Sequence, residues 1–302
     1  MEKSDWAGVF PAITTPFRED GSVNEIFLAE HASWMIENGC SGIVALGSLG
    51  EGATLTCTEK VRELEVLREA IGPRVPLIAG ISGLGTAECV ALAQAAERAG
   101  CDGLMVLPPY VYVGDWRETE AHMSAILAAT PLSCMIYNNP IAYGTDLSAR
   151  DVEEFADMFS NFHAIKDSSG DVRRLTAYRE RLGDRLALFA GLDDMVLEAA
   201  LMGADGWVAG LVNALPEESV RLFELGKNGQ VDEARRLYEW FLPLLRYDTV
   251  PKFVQLIKLV QAEVGKGTET VRPPRLPLAG AERSEVLALV REKLTELARI
   301  TA

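Results

Sequence analysis

Residues 76–108, PLIAGISGLGTAECVALAQAAERAGCDGLMVLP, contain the pattern that decides the fold. Two short apolar runs, PLIAG from Pro76 and GLMVLP from Gly103, flank a periodic stretch over residues 86–99. A strand, a helix-length amphipathic segment and a second strand in this order predict a βαβ unit with parallel strands. Because both runs are apolar throughout, we expect the strands to be covered on both faces.

The same alternation repeats along the chain, where helix-length periodic stretches separate eight strand candidates. The candidates are GVFPAIT from Gly8, GIVALG from Gly42, PLIAG, GLMVLP, SCMIYN from Ser133, HAIKD from His163, LALFAG from Leu186 and GWVAG from Gly206. Eight such units predict a (β/α)8 barrel, which takes about 250 residues. The alternative is a doubly wound sheet. That fold carries a Gly-rich phosphate turn after its first strand, where this chain reads ITTPF.

After Pro216 the strand pattern stops and only helical periodicity remains. The helical patterns cover residues 217–227, 231–245, 250–264 and 282–300, with an extended connector over residues 265–280. We therefore predict two parts: a barrel over residues 1–228 and a helical appendage over residues 229–302 that packs on it.

Charge and composition exclude several classes of partner. The 29 Lys and Arg residues against 44 Asp and Glu residues give a net charge of −15, a sign that repels nucleic acid and anionic membranes. The first residues, MEKSDWAGVF, are charged where a secretory signal needs an apolar segment. No later apolar run approaches the ~18 residues of a membrane span. We expect a cytoplasmic protein that binds neither nucleic acid nor membranes.

Cysteine and histidine usage predicts neither disulfides nor a metal centre. The five cysteines include no C-x-x-C pair, and the three histidines, His31, His122 and His163, have no i, i+4 spacing. We interpret the cysteines as reduced, mostly structural thiols and the histidines as packing or surface residues.

One predicted strand ends in a lysine, at the edge of the barrel where catalytic residues lie. Lys166 follows the apolar residues Ala164 and Ile165 and begins the motif KDSSG. An amine desolvated by the barrel has a lowered pKa, and its neutral form can attack a ketone to form a Schiff base. The alternative is a structural lysine that is ion-paired with Asp167 or with another strand end.

Three further strand ends carry polar groups. Tyr137 in YNNP and Tyr110 in PPYVY offer phenols, although a strand-end tyrosine is usually a packing residue. In GSLGE, Gly47 and Gly50 permit backbone conformations that are closed to other residues. The amides of this turn can bind a carboxylate, and the Ser48 hydroxyl can relay a proton. The alternative is an ordinary turn between a strand and a helix.

A phosphate site is not expected. GSLGE lacks the G-x-x-x-x-G-K-[ST] frame of a nucleotide-binding loop. Asp193 and Asp194 follow the seventh strand, where a phosphate would need hydrogen-bond donors. We therefore expect a carboxylate substrate without a phosphate group.

Taken together, the motifs resemble a known family. GSLGE, PPY, YNNP and KDSSGD, in this order on eight βα units followed by helices, are similar to the dihydrodipicolinate synthase / N-acetylneuraminate lyase family of class I aldolases. The resemblance covers essentially the whole chain. It implies that Lys166 forms the Schiff base and that Tyr137 shuttles protons at the substrate's α-carbon and carboxylate. Ser48 would link Tyr137 to Tyr110, which the family supplies across a subunit interface.

The resemblance also implies how the substrate is held and how the chain assembles. The backbone amides of Ser48 and Leu49 would hold the substrate carboxylate, and Gly191, Ala209 and Gly210 would line the pocket. Family members are typically homotetramers, built as dimers of dimers, and they need no metal or organic cofactor. The implied ligand is a small 2-oxo acid or a cyclic imine carboxylate.

Departures from the family pattern bear on the activity. Leu49 stands where the synthases and the sialic acid lyases have threonine, so the pocket is more apolar there. The synthases read YNVP followed two residues later by an arginine that clamps the second substrate's carboxylate. Here YNNP is followed by Ile141 and Ala142. The polyol-binding residues of the sialic acid lyases have no match in GLDDMVLE or GWVAGLVN, so both activities are disfavoured.

The chain most resembles a branch of the family from bacterial hydroxyproline catabolism, on GVFPAITTPF, FAGLDD, GWVAGLVN and RPPRLPLAG together with the motifs above. The implied activity is deamination of 1-pyrroline-4-hydroxy-2-carboxylate to 2-oxoglutarate semialdehyde and ammonia. Lys166 would form an iminium at C2 and Tyr137 would remove a C3 proton, so that the enamine expels the C4 hydroxyl. One alternative is a pyruvate-dependent aldolase or synthase of the same family, including a divergent dihydrodipicolinate synthase. Another is a catalytically silent binding barrel.

Overall fold

A ring of eight parallel strands forms the centre of the molecule. The computed structural model describes residues 1–300, with side chains described through residue 297. The strands are β1 (Gly8–Pro11), β2 (Ile43–Ala45), β3 (Leu77–Ile81), β4 (Gly103–Val106), β5 (Ser133–Asn138), β6 (Phe162–Asp167), β7 (Ala187–Ala190) and β8 (Gly206–Ala209). They pair in the order β1-β8-β7-β6-β5-β4-β3-β2. Between β1 and β2, Ala12 pairs with Val44, and the Ile13 N–H donates to the Val44 carbonyl at 2.9 Å.

This strand order confirms the predicted (β/α)8 barrel. A doubly wound sheet is open and reverses its strand order at a switch point. Here every strand lies beside its neighbour in sequence, and the first strand pairs with the last. The doubly wound alternative is therefore wrong.

Helices return the chain between the strands and then continue beyond them. Those of the barrel are α1 (Glu25–Glu37), α2 (Cys57–Ile71), α3 (Thr86–Arg98), α4 (Trp116–Leu127), α5 (Pro140–Tyr143), α6 (Ala149–Met158), α7 (Arg173–Leu182) and α8 (Val196–Leu201). The later ones are α9 (Pro216–Lys227), α10 (Val231–Leu245), α11 (Phe253–Glu263) and α12 (Gly280–Ile300). None of the helices in the described part of the chain combines the length and apolar character that a membrane span requires.

An aromatic cluster fills the amino-terminal side of the barrel interior. The ring centroids of Phe10 and Phe189 are 5.5 Å apart, and Trp6 lies edge-on to Phe189 at 6.0 Å. The Trp6 indole donates to the Ser133 hydroxyl at 2.8 Å. Because alternate strand residues face inward, these side chains close this side and leave open space at the carboxyl ends of the strands.

The helices after β8 pack on the barrel through buried polar contacts as well as apolar ones. On α11, the Lys258 ammonium donates to the Thr15 carbonyl at 2.8 Å, and Gln261 accepts a hydrogen bond from Thr14 at 3.0 Å. The division predicted between residues 228 and 229 falls in the turn between α9 and α10. Its standing as a domain boundary remains a prediction.

Candidate active site

Lys166 lies on β6 with its side chain directed into the barrel. It is 5% exposed, and its Nζ lies 4.0 Å from the centroid of the Tyr137 ring. Tyr137 is its neighbour because the two residues are in register on the paired strands β5 and β6. Burial lowers the pKa of Lys166 to about 8, although the charges of Asp248 and Asp193 oppose this shift. The shift enlarges the fraction of neutral amine that can attack a carbonyl.

Asp167 is not ion-paired with Lys166, although such a pair is one of the two structural roles considered for this lysine. It follows Lys166 on the strand and therefore faces the helices. There its carboxylate accepts hydrogen bonds from the Tyr178 hydroxyl at 2.7 Å and from the Asn138 amide at 3.0 Å. The two neighbours thus have separate tasks, one in the cavity and one in the wall of the barrel.

Two donors that the sequence did not single out hold the Tyr137 hydroxyl. The Asn139 amide donates to it at 2.8 Å, and the Ser168 hydroxyl donates at 3.4 Å. Burial raises the pKa of Tyr137 to about 12, and both hydrogen bonds oppose the rise because they stabilise the phenolate. Both donors belong to motifs already noted, YNNP and KDSSG, but their proximity to the phenol depends on the pairing of the strands.

Ser48 makes no direct hydrogen bond to Tyr137 among the described residues, and its link to Tyr110 of a neighbouring subunit stays a prediction. Within the described chain its hydroxyl pairs with the hydroxyl of Tyr143, the last residue of α5. The Tyr143 ring contacts both other phenols, with centroids 5.8 Å from that of Tyr137 and 6.0 Å from that of Tyr110. The sequence analysis missed Tyr143, although Asn followed by Pro in YNNP is a helix-start signal that predicts α5.

In the GSLGE turn, the unusual backbone conformations do not lie at the two glycines, where the sequence predicts them. The left-handed conformations belong to Leu46, with φ 62°, and Glu51, with φ 53°, rather than to Gly47 or Gly50. Gly50 is needed for a different reason, since a Cβ there would lie 2.9 Å from the Ile13 carbonyl oxygen. The turn therefore depends on close backbone approach at one glycine.

A cavity of about 520 Å³ opens at the carboxyl ends of the strands, within the range of small-molecule sites. Lys166, Tyr137 and Tyr110 line it, as do the predicted Ser48, Leu49, Gly191 and Gly210. The Ser48 and Leu49 N–H groups donate to no protein acceptor among the described residues. They are thus available for the carboxylate that the resemblance assigns to them.

Ala209 does not line the cavity, contrary to expectation. It is fully buried in the core between the strands and the helices, whereas Val208 and Gly210 on either side line the cavity. The reason is the alternation of side chains along β8, because successive residues face opposite sides of a strand.

Two carboxyl groups approach the site from the far side of the barrel. Asp193 is buried and accepts hydrogen bonds from the N–H groups of Gly210 at 3.1 Å and Leu211 at 2.8 Å, and from the Trp207 indole at 3.0 Å. Asp248, between α10 and α11, lines the cavity beside Gly210, where any Cβ would collide with its carboxyl group. Burial raises the pKa of Asp193 to about 6 and that of Asp248 well above its usual range. Burial thus favours the protonated form of Asp248.

Comparison with known proteins extends over nearly the whole chain. The model of the dihydrodipicolinate synthetase family matches residues 5–293. A 4-hydroxy-tetrahydrodipicolinate synthase from Clostridium perfringens is 34% identical over 282 residues, which cover 92% of this chain and 94% of that protein.

Solved structures show the same architecture. A dihydrodipicolinate synthase from Bacillus anthracis has a TM-score of 0.91 at 28% identity, covering 96% of this chain and 99% of that one. A prophage protein of the dihydrodipicolinic acid synthase family from E. coli, solved with pyruvate, has a TM-score of 0.89 at 26% identity, covering 95% and 98%. Because the match includes both the barrel and the helices after it, this chain belongs to the dihydrodipicolinate synthetase family of class I aldolase-type lyases.

Proposed function

We propose that this protein converts a small 2-oxo acid, or its cyclic imine, into an enamine carried on Lys166. The observation that supports this most directly is the buried Lys166 ammonium, 4.0 Å from the ring centroid of Tyr137 on the wall of an open cavity. Burial favours the neutral amine, and the phenol provides a base beside it. A silent binding barrel has no need of a buried lysine and a phenol in register on adjacent strands.

The enamine forms in steps that use only groups of this chain and the substrate. The Lys166 amine adds to C2 of a 2-oxo acid and a water molecule leaves, so that a C=N bond replaces the C=O bond. Tyr137, as the phenolate, takes a proton from C3, and the electron pair of that C–H bond moves into a C2–C3 double bond. The free N–H groups of Ser48 and Leu49 hold the substrate carboxylate.

The names of the relatives support one fate of the enamine, addition to an aldehyde in an aldolase or synthase reaction. The prophage protein solved with pyruvate supports pyruvate as the simplest donor. Ala142 lies where the resemblance places the carboxylate-clamping arginine of the synthases. An arginine does line the cavity, Arg275, but it is ion-paired with Glu51 at 3.7 Å. We therefore expect an aldehyde partner without a second carboxylate.

A specific observation favours a second fate, the deamination of 1-pyrroline-4-hydroxy-2-carboxylate. This substrate has one carboxylate, and its C4 hydroxyl needs a proton to leave. Asp248 faces the cavity, with its pKa raised by burial, and can supply that proton. One water leaves from C4, and two waters enter, one at C5 to release ammonia and one at C2 to free Lys166, giving 2-oxoglutarate semialdehyde.

Borohydride trapping followed by intact-protein mass measurement tests the shared chemistry. With pyruvate, the wild type is expected to gain one reduced adduct, and Lys166→Ala none. Lys227→Ala is the control, because Lys227 is exposed on α9 and should trap like the wild type. An adduct on Lys166→Ala, or none on the wild type with either pyruvate or the cyclic imine, would contradict the proposal.

Two rates measured in parallel separate the fates. Ammonia release from 1-pyrroline-4-hydroxy-2-carboxylate reports deamination, and pyruvate consumption with an aldehyde reports addition. If the protein deaminates, Asp248→Asn should lower ammonia release by about 100-fold or more, the range for loss of a general acid, while retaining the pyruvate adduct. Absence of ammonia with a trapped Lys166 adduct would rule out deamination and leave the synthase reaction.

A further inference from the structure

We propose that Thr15 and Glu63 are positioning residues for the turn that binds the substrate carboxylate, with Glu63 acting as a neutral carboxylic acid. Neither side chain lines the cavity, so both act through the backbone of the GSLGE turn. The inference rests on the function proposed above, in which the Ser48 and Leu49 N–H groups hold the substrate carboxylate.

Each of these two N–H groups belongs to a peptide unit whose carbonyl is held by the turn itself. The Ser48 N–H shares its unit with the Gly47 carbonyl, which accepts the Gly52 N–H at 3.2 Å. The Leu49 N–H shares its unit with the Ser48 carbonyl, which accepts the Glu51 N–H at 3.1 Å. Because the C=O and N–H of a trans peptide unit lie in one plane and point in opposite directions, these two bonds orient both N–H groups outward from the turn.

Thr15 fixes the peptide unit on which the second of these bonds depends. Its hydroxyl donates to the Gly50 carbonyl at 2.6 Å, and that carbonyl shares a peptide unit with the Glu51 N–H. Thr15 is fully buried, and its own carbonyl accepts the Lys258 ammonium at 2.8 Å. A chain of hydrogen bonds therefore runs from the Thr15 hydroxyl through two peptide units to the Leu49 N–H.

Glu63, on α2, must carry a proton if Thr15 is to keep its bond to the turn. The two oxygens of the Glu63 carboxyl group lie 3.2 and 3.0 Å from the Thr15 Oγ1. A hydroxyl has one hydrogen to donate, and the shorter contact assigns it to Gly50, so Glu63 has to be the donor to Thr15. An ionised Glu63 could only accept, and would draw the hydrogen from Gly50 because charge-assisted hydrogen bonds are stronger.

The surroundings of Glu63 favour the protonated form. Its residue is 1% exposed, and the nearby cations pair with other carboxylates: Lys258 on α11 with Glu51 of the turn, and Arg272 of the connector with Glu59 on α2, at 2.6 Å each. Burial raises the pKa of Glu63 to about 8; the charge of Glu59 adds to the rise, and those of Lys258 and Arg272 oppose it. Glu63 is therefore protonated at neutral pH and ionised in alkaline solution, where the turn loses its support.

Inhibition of pyruvate adduct formation by propionate tests the role of Glu63. Propionate presents a carboxylate but has no C2 carbonyl with which Lys166 could react. Glu63→Gln keeps a donor to Thr15 and cannot ionise. Its inhibition constant should equal that of the wild type at about pH 6.5, whereas at about pH 9.5 the wild type should bind propionate about three- to tenfold more weakly, the contribution of one hydrogen bond. Lys166 titrates in both proteins, so their ratio isolates Glu63.

Glu69→Gln is the matched control, because it removes an exposed carboxylate from the same helix. It should follow the wild type at both pH values. Equal propionate binding by the wild type and Glu63→Gln at the higher pH would overturn the role of Glu63.

Two substitutions of Thr15 test the route through its hydroxyl. Thr15→Val should raise the inhibition constant of propionate and the half-saturating pyruvate concentration about three- to tenfold at both pH values, with the maximal trapping rate unchanged, as expected for lost uniform binding. Thr15→Ser retains the hydroxyl and should behave like the wild type. If Thr15→Ser were as weak as Thr15→Val, the hydroxyl would not be the cause and the proposal would fail.

The double variant separates positioning from the direct effect of a charge on Glu63. Adding Glu63→Gln to Thr15→Val should change nothing further at either pH. A persisting difference at the higher pH would mean that the ionised Glu63 repels the substrate through its field, and would overturn the route through Thr15. Failure of the proposed function would instead appear as a missing Lys166 adduct in the wild type.

Discussion

Replacement of Lys258 by methionine should destabilise the fold more than any exposed ion-pair substitution. Lys258 extends from α11 to the GSLGE turn, where its ammonium donates to Glu51 at 2.6 Å. It also donates to the carbonyls of Thr15 and Thr270, each at 2.8 Å. The side chains of Lys258 and Glu51 are 3% and 0% exposed. Methionine fills similar space but leaves the buried Glu51 carboxylate without its nearest cation.

The expected loss of unfolding free energy is about 3–5 kcal/mol, the range for removing one partner of a buried ion pair. The remaining partners of Glu51 are the Arg272 N–H at 3.0 Å and the more distant Arg275 at 3.7 Å. A chain of 302 residues unfolds with an entropy of about 2.1 cal/mol/K per residue. The loss therefore corresponds to a fall of about 5–8 °C in Tm.

Thermal unfolding followed by circular dichroism, at one protein concentration and pH 7, measures this effect. Lys252→Met is the matched control, because Lys252 forms an ion pair with Glu282 at 2.7 Å whose side chains are 51% and 48% exposed. Exposed pairs contribute about 0–1 kcal/mol, so the control should shift Tm by less than about 2 °C. The double variant Glu51→Gln with Lys258→Met should recover part of the loss, since no charge is then left unpaired.

Equal Tm shifts for Lys258→Met and Lys252→Met would refute the reasoning, because burial would then add nothing to the pair. A double variant less stable than Lys258→Met would refute the claim that the stranded Glu51 carboxylate is the cause.

Three further predictions concern the site and the assembly. The rate of borohydride-trapped adduct formation on Lys166 should rise with pH through about 8, since only the neutral amine attacks; a midpoint above about 10, near that of an ordinary lysine, would contradict it. Gly191→Ala should reduce the borohydride-trapped adduct at least tenfold while the protein stays folded, because the new Cβ would lie 2.9 Å from Lys166 Cε and collide with Ser168. Gly85→Ala, where a Cβ meets open space, is the control and should form the adduct normally. Sedimentation should show the homotetramer that the family resemblance implies, and a stable monomer would contradict that expectation.

The repeated strands and helices could be predicted from local pattern. Each apolar run lies in or beside an observed strand, and the last four helical patterns match α9 to α12 closely, except that the pattern from residue 250 becomes a helix only at Phe253. Lys166 could be predicted as a site residue for the same reason, because a polar residue at the end of an apolar run in a barrel marks the rim.

The residues that contact these side chains could not be predicted from local pattern. Asn139 occupies a position noted only as part of YNNP, and Tyr143 ends a four-residue helix that periodicity does not reveal. The resemblance assigns Ala209 to the pocket together with Gly210, yet its side chain faces the helices. A shift of one residue along a strand exchanges cavity for core, and strand ends are known from sequence only to within a few residues.

The sequence by itself thus determined the (β/α)8 barrel, the helices after it, and the lysine and tyrosine placed on adjacent strands, because strand and helix periodicities are properties of neighbouring residues. Only the tertiary structure decided which hydroxyls meet and which acids enter the cavity. Ser48 and Tyr143 are 95 positions apart, and Asp248 reaches the site from outside the strand repeat. Such contacts depend on how loops of different lengths close over the barrel, which no local pattern in the sequence encodes.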